Sequence, residues 1–235
     1  MKKNIVFAIT LFFISSCSTL AFWSDDEVEE TSEPVKLNKI QNEYSIEIEW
    51  KRSFDGENNI GSFVPSFYSG EMIIADPKGN LLSISPTNGK TNWDINLKRD
   101  LSAGTASGFG KIIVSDTNGF VIAIDSVTKE TLWEKNIGGE VLSNGVISAS
   151  LVLIKNSVGE LVALDSVTGE QKWSFRSQLP ALTVRGTGEP IIENGTVFSA
   201  FDNGRMGAFQ LDTGYFLWDG PISFVEGTSE LENLI

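Results

Sequence analysis

Residues 119–133 read GFVIAIDSVTKETLW, and three further stretches repeat this layout: GNLLSISPTNGKTNW at 79–93, GELVALDSVTGEQKW at 159–173 and GRMGAFQLDTGYFLW at 204–218. Each stretch begins with a glycine and ends with a tryptophan 14 residues later. The fourth residue after each glycine is serine or alanine. Units of this kind that recur every 40 or 45 residues indicate the blades of a β-propeller.

The clearest unit predicts four strands, at residues 103–108, 111–115, 120–125 and 131–136. Asn-Gly and Asp-Ser-Val-Thr turns join the later strands as hairpins, because these residues tolerate positive φ or bond backbone amides. The third strand is apolar on both faces, as a sheet stacked between two others requires. We therefore predict an all-β propeller of four-stranded antiparallel blades.

The repeat also predicts where the blades begin and end. A predicted strand at 44–54, whose alternating stretch ends at Trp50, lacks three partner strands, so it is expected to close a propeller ring. The chain is accordingly expected to be the front part of a longer propeller, with a four-bladed ring as the alternative. The predicted blades cover about 60–98, 101–138, 141–177 and 185–222, with the start of a fifth at 223–235.

The repeated tryptophans are interpreted as packing residues rather than binding residues. A buried indole adds apolar burial, and its N–H can still bond a carbonyl. The small residue at the centre of each third strand is expected to leave room for a tryptophan from an adjacent blade. This structural set comprises Trp50, Trp93, Trp133, Trp173 and Trp218.

The N-terminus is typical of an exported lipoprotein. Residues 1–16 combine two lysines, a short apolar run and small residues, which indicates a signal peptide. Cys17 follows directly and is the predicted lipidation site, an incidental cysteine after an ordinary signal peptide being the alternative. Because it is the only cysteine, disulfides within the chain are excluded. The acidic residues within 17–43 predict an extended tether between lipid and domain.

The composition argues against catalysis and against nucleic acid as a partner. The chain has no histidine, the commonest general base and metal ligand. No catalytic, metal-binding or cofactor-binding residues are predicted. A formal net charge of −13 without a basic cluster does not suit nucleic acid. The repeated turn carboxylates are predicted to cap backbone amides: Asp76, Asp116, Asp125 and Asp165.

Residues 178–186, QLPALTVRG, lengthen the link between the third and fourth blades. Within it Leu182, Val184 and Arg185 combine apolar area with a planar group of several donors, as in a protein-binding hot spot. The alternative is that the segment forms the first strand of the fourth blade.

The glycine-to-tryptophan unit resembles the pyrroloquinoline-quinone-type repeat, which quinoprotein dehydrogenases share with the BamB family of lipoproteins. Residues 182–186, LTVRG, are similar to the L-x-L-R-G segment of the BamB family, and 227–231, GTSEL, to its G-x-T/S-E-I/L stretch. Gly188 and Asn233 depart from the family pattern, which tends to have serine and arginine there. With the N-terminal features, the likeness covers the whole chain.

Membership in the BamB family would imply eight blades and a lipid anchor on the periplasmic face of the outer membrane. It would also imply a non-enzymatic scaffold that binds the periplasmic domains of BamA through Leu182, Val184 and Arg185 and assists nascent outer-membrane proteins. Two other functions remain open: a fragment of a periplasmic quinoprotein dehydrogenase, which the cysteine count opposes, and a propeller that binds another periplasmic protein.

Overall fold

A computed structural model of the chain describes residues 44, 46–53, 61–179 and 185–222. By its internal contacts the chain divides into residues 1–47 and residues 48–235. Only residues 44, 46 and 47 of the first unit are described, and all the strands belong to the second. The predicted signal peptide, most of the tether and the start of a fifth blade lie outside the described residues.

The described part of the second unit folds into four antiparallel sheets, each made of four strands that are consecutive in the chain. This confirms the predicted all-β fold. No helix that the structure describes is long and apolar enough to cross a membrane. The strands are β1 (Ser66–Tyr68), β2 (Glu71–Ala75), β3 (Asn80–Ile84), β4 (Thr91–Asn96), β5 (Ala106–Gly108), β6 (Lys111–Ser115), β7 (Phe120–Asp125), β8 (Thr131–Asn136), β9 (Val146–Ile147), β10 (Leu151–Lys155), β11 (Glu160–Asp165), β12 (Gln171–Arg176), β13 (Ile191–Glu193), β14 (Thr196–Phe201), β15 (Arg205–Gln210) and β16 (Phe216–Pro221).

The core lies between neighbouring sheets. Ile73 and Leu81 of the first sheet pack with Ile112 of the second, whereas the next residue, Ile113, packs with Val152 of the third sheet. A strand buried on both faces in this way requires the continuous apolar runs seen in the sequence. Each such aliphatic side chain contributes about 1.5–3 kcal/mol of burial free energy. Among the first strands, β5 contacts both β1 and β9, so these strands lie side by side along one edge of the sheets.

A β-bulge precedes the tryptophan in every sheet. Ala123 of β7 pairs with Trp133, but Ile124 pairs with Thr131, so Leu132 has no partner across the ladder. The same shift occurs in the other three sheets. A bulge bends a strand and redirects its side chains, and here it stands directly beside the indole. The small residue therefore lies opposite the tryptophan of its own blade.

The tryptophans contact the neighbouring sheet at a different place from the predicted one. Trp133 lies against Gly169, in the turn between β11 and β12, where an added Cβ would be 2.6 Å from the ring. Its Nε1 donates to the Ser166 carbonyl at 3.1 Å. The indole therefore packs against the turn glycine and not against the small residue of the adjacent third strand. The reason is steric, because glycine has no Cβ at the point of closest approach.

Two other tryptophans dock in the same way. Trp173 packs against Gly214 and donates to the Leu211 carbonyl at 2.8 Å. Trp50 packs against Gly89 and donates to the Pro86 carbonyl at 2.8 Å. The residues around Trp50, 46–53, belong to none of the four described sheets, so the closing strand stays a prediction, although Trp50 occupies the place of a fourth-strand tryptophan.

The predicted strands of the second blade agree with β6, β7 and β8, but β5 begins three residues later than expected, at Ala106. Residues 102–105 are buried and use their amides elsewhere. Ser102 N–H donates to the Ser115 carbonyl at 3.0 Å, and Gly104 N–H donates to the Ser62 carbonyl at 2.8 Å. The backbone there links two blades and cannot extend its own ladder.

Candidate protein-binding face

The antiparallel order puts the connections between blades at one end of the sheets, together with the turns between second and third strands. We call this end the connector face; its connections are 97–105, 137–145 and the described residues of 177–190. Hydrogen bonds tie the turns to the connections: Thr117 N–H donates to the Asp100 carbonyl at 3.1 Å, and Ser157 N–H to the Glu140 carbonyl at 2.7 Å. The connector face is therefore a fixed surface built from several blades.

Asx turns give the connector face its regular rim. Asp116 Oδ1 accepts from the N–H groups of Asn118 and Phe120, both at 2.9 Å. Asp76 and Asn156 do the same in the first and third sheets. At the opposite end, Asp125 and Asp165 accept amide N–H groups in the turns before the fourth strands. The prediction that these carboxylates cap backbone amides is confirmed.

Of the three predicted partner-binding residues, Arg185 is the one that the structure describes. Its side chain is 46% exposed and forms an ion pair with Glu140, which lies in the preceding connection. An ion pair at this exposure adds only about 0–1 kcal/mol to stability, so its main effect is to orient the guanidinium. Leu182 and Val184 lie outside the described residues, as does Cys17.

Residues 185–190 belong to no strand, and the first strand of the fourth blade is β13 (Ile191–Glu193). Within its described part, the segment is therefore a connection rather than a blade strand. Gly186 fixes its path: the Gly186 N–H donates to Asp202 Oδ2 at 3.2 Å, and a Cβ at position 186 would lie 2.6 Å from Asp202 Oδ1.

The turn of the fourth sheet lacks the Asx turn found at the equivalent position of the other three sheets, and the Asp202 carboxylate there binds Gly186 instead of amides of its own turn. The position that holds Asp76, Asp116 and Asn156 in the other sheets holds Phe201 here, and Asp202 follows it. Nearby, burial raises the pKa of the Glu189 carboxyl. Sequence reasoning missed Glu140 and Asp202, because neither lies near Arg185 in the chain.

Lys155 is a further residue that the sequence analysis did not select. It ends β10, is 6% exposed, and donates from Nζ to the Ala200 carbonyl at 3.0 Å. Burial lowers the pKa of its ammonium group, and the charge of Asp202 partly offsets this shift. A signal was present: the equivalent positions of the other blades hold Ala75, Ser115 and Ala200, so a lysine there is an exception.

Among the described residues, no group of three or more histidine, cysteine, aspartate or glutamate side chains could hold a metal ion. The polar groups of the connector face include Arg99 and Arg185, each paired with a carboxylate, and backbone amides. Such an arrangement suits recognition of a protein surface by hydrogen bonds and ion pairs.

Comparison with known proteins gives consistent matches. The profile of a family described as outer membrane protein assembly factor BamB matches residues 52–235. The protein of that name from Kangiella koreensis is 44% identical over 227 residues, which cover 96% of this chain and 58% of the relative. The Pseudomonas aeruginosa protein of the same name is 46% identical over 204 residues, covering 86% of this chain and 54% of the relative. The chain thus spans about half the length of the relatives it matches.

Solved structures show the same fold. The crystal structure of BamB from Moraxella catarrhalis has a TM-score of 0.65 at 22% identity, covering 73% of this chain and 52% of that one. A quinohemoprotein alcohol dehydrogenase from Pseudomonas putida has a TM-score of 0.58 at 16% identity, covering 72% of this chain and 35% of that one. At these identities the likeness concerns the fold alone.

Proposed function

Because this chain belongs to the family of outer membrane protein assembly factor BamB, we propose that it is a non-enzymatic scaffold that binds the periplasmic domains of BamA through its connector face. The observation that carries this proposal is the placement of Arg185. The residue belongs to the segment LTVRG at 182–186, which resembles the L-x-L-R-G segment of the BamB family. Glu140 of a neighbouring connection orients its half-exposed guanidinium.

The chemistry of Arg185 suits a partner-binding role. A guanidinium has five donors in a rigid fork, and the hydrogen bond to Glu140 uses one of its NH₂ groups. Arginine is enriched in interface hot spots, usually beside apolar residues that exclude water. Leu182 and Val184 precede it and are proposed to supply that apolar area. The surface would assist the assembly of nascent outer-membrane proteins by positioning them at BamA.

Cys17 is proposed to carry the lipid that holds the protein on the periplasmic face of the outer membrane. Acyl chains contribute roughly 0.8 kcal/mol per buried CH₂, so a diacylated cysteine binds a membrane firmly. Support comes from the sequence of the first 17 residues and from the family. Recovery of a Cys17→Ser protein with the membrane, rather than in the soluble periplasmic fraction, would contradict this anchor.

The binding proposal is tested by charge reversal at matched positions. Arg185→Glu should weaken binding to the purified periplasmic domains of BamA by at least about 10-fold, because removing a hot-spot arginine costs on the order of 2 kcal/mol. Lys172→Glu is the control. Its side chain is 47% exposed and also paired, with Asp165 at 3.2 Å, but it lies at the opposite end of the third sheet. Equal affinities for Arg185→Glu and wild type would refute the role of the segment.

A further inference from the structure

Lys155 is a buried cation of the third sheet whose ammonium group reaches the fourth sheet and the connection that leads into it. Its Nζ donates to the carbonyl of Ala200 in β14 at 3.0 Å. A Cβ added to Gly188 would lie 3.8 Å from the same Nζ, so the ammonium group faces the connection. The positive charge of Lys155, a residue of the third sheet, therefore lies close to residues 186–188.

Asp202 is the second charged group at this place. It accepts the Gly186 N–H at 3.2 Å, and its negative charge acts on the Lys155 ammonium. The two groups lie beside the connection two residues apart: Asp202 accepts the Gly186 N–H, and the Lys155 Nζ lies near Gly188. A Cβ at position 186 would lie 2.6 Å from Asp202 Oδ1, so glycine is needed for this close approach.

We propose that Lys155 and Asp202 are positioning residues: they hold residues 186–188 against the fourth sheet and thereby fix the orientation of the adjacent Arg185 on the connector face. This inference rests on the proposed function, since it assigns a role to residues that act through Arg185. A carboxylate bound to the backbone at Gly186 fixes the direction in which the chain leaves Arg185, and Glu140 then orients its guanidinium.

A purely stabilising role for Lys155 is the competing explanation, and it makes a different prediction. Burying a charge is costly, and replacing a buried ionic group by an apolar one of similar size is often neutral or stabilising. The positioning role therefore predicts that Lys155→Met keeps the unfolding temperature of the wild type, or raises it, while partner binding becomes weaker.

The test measures three properties of the whole chain: unfolding temperature, amide hydrogen exchange at residues 186–188, and affinity for the periplasmic domains of BamA. Lys155→Met should speed exchange at Gly186 by about 10-fold and weaken binding by about 5- to 10-fold; a loss of 1.4 kcal/mol corresponds to a factor of ten. In an Arg185→Ala background, Lys155→Met should change affinity less than twofold, because both substitutions remove the same contribution. Lys172→Met serves as the control lysine.

Asp202→Ala provides an independent variant if Lys155→Met lowers the unfolding temperature. It removes the acceptor of the Gly186 N–H from a half-buried turn and should produce the same faster exchange and weaker binding. Wild-type exchange at Gly186 in both variants would overturn the positioning role. If Arg185→Glu binds normally, the proposed function fails, yet the exchange measurement still decides whether Lys155 and Asp202 hold the connection. Weaker binding by Arg185→Glu with normal binding by both positioning variants would refute this inference alone.

Discussion

The contact between Trp133 and Gly169 shows how single residues set the distance between blades. Gly169 has φ of +72° and lies directly against the indole. The ring is 8% exposed, and burial of a large aromatic side chain contributes about 3 kcal/mol or more. The turn glycine therefore serves two purposes, since it permits the left-handed turn and admits the ring.

Gly169→Ala should destabilise the protein by about 2–4 kcal/mol, because the new methyl group clashes with the indole and strains the turn. Gly110→Ala is a matched control: Gly110 has φ of +76° but no atom within 4 Å of an added Cβ. Gly110→Ala should lower the free energy of unfolding by only about 1–2 kcal/mol, the cost of placing a Cβ at positive φ. Urea denaturation of the two variants measures the difference, and equal losses would contradict the packing role of Gly169.

Asp165 makes the stability of the third sheet depend on pH. Its Oδ1 accepts the amide N–H groups of Val167 and Thr168, both at 2.9 Å, and Lys172 lies 3.2 Å from Oδ2. The hydrogen bonds from these two backbone N–H groups have the largest effect and Lys172 the next largest, and together they lower the pKa of Asp165 from 3.8 to about 2. The ionised form is therefore favoured by folding, and its contribution is fully present above the unfolded-state pKa.

Asp165→Asn should reduce stability at pH 6, and the deficit relative to wild type should shrink as pH falls from about 4 towards 2. In that range wild-type Asp165 becomes protonated and loses the stabilisation by its ionised carboxylate, which the asparagine variant lacks at every pH. Denaturant titrations at pH 6, 4, 3 and 2 would measure the deficit. A deficit that is independent of pH would show that the carboxylate charge does not contribute.

The contact between the tryptophan of the first sheet and the second sheet differs from the other described contacts of this kind. The turn glycine is replaced by Lys129, which has φ of +65° and places Nζ 4.0 Å from the centroid of the Trp93 ring. Lys129 also donates to the Ser126 carbonyl, the equivalent of the tryptophan's acceptor elsewhere. Trp93 consequently donates to Glu71 Oε2 at 3.2 Å.

Lys129→Gly should convert this junction to the common form. We expect a gain of about 1 kcal/mol, because glycine adopts positive φ without the steric cost of a side chain. The freed Ser126 carbonyl should also accept the Trp93 N–H in place of Glu71, which would move the resonance of that indole N–H in an NMR spectrum. Thermal unfolding and NMR spectra would measure both effects. A lower unfolding temperature would mean that the cation–π contact outweighs the backbone strain.

At the level of strands, local sequence was sufficient where local forces decide the structure. The second to fourth strands of the second blade follow from apolar runs and turn residues, and they were predicted correctly. The bulge before Trp133 and the late start of β5 were not predicted. Both depend on contacts outside the strand itself: the fit of an indole to the next blade, and the bond of Gly104 to Ser62.

The connector face also could be predicted only in part from the sequence. Arg185 could be selected from its motif, since an arginine beside apolar residues has a recognisable chemistry. The residues around it come from elsewhere in the chain: Glu140, which pairs with Arg185, is 45 residues earlier, and Asp202, which accepts the Gly186 N–H, is in a later turn. Only the stacking of blades brings these residues together, so a single sequence could not identify them.

The four described sheets present two ends with different chemistry. The connector face carries the Arg185–Glu140 pair and the Gly186–Asp202 hydrogen bond. The opposite end carries the turns that receive the tryptophans, with exposed Val127 and Val167 at their tips. We therefore propose that one end binds the partner and that the other end packs blade against blade.

Site-specific photo-crosslinking in intact cells tests this assignment most directly. A photoreactive residue at Val158, 39% exposed in the turn between β10 and β11, samples the connector face, and one at Val167, 70% exposed, samples the opposite end of the same sheet. We expect crosslinks to BamA from position 158 and none from position 167. Crosslinks to BamA from 167 alone would contradict this assignment.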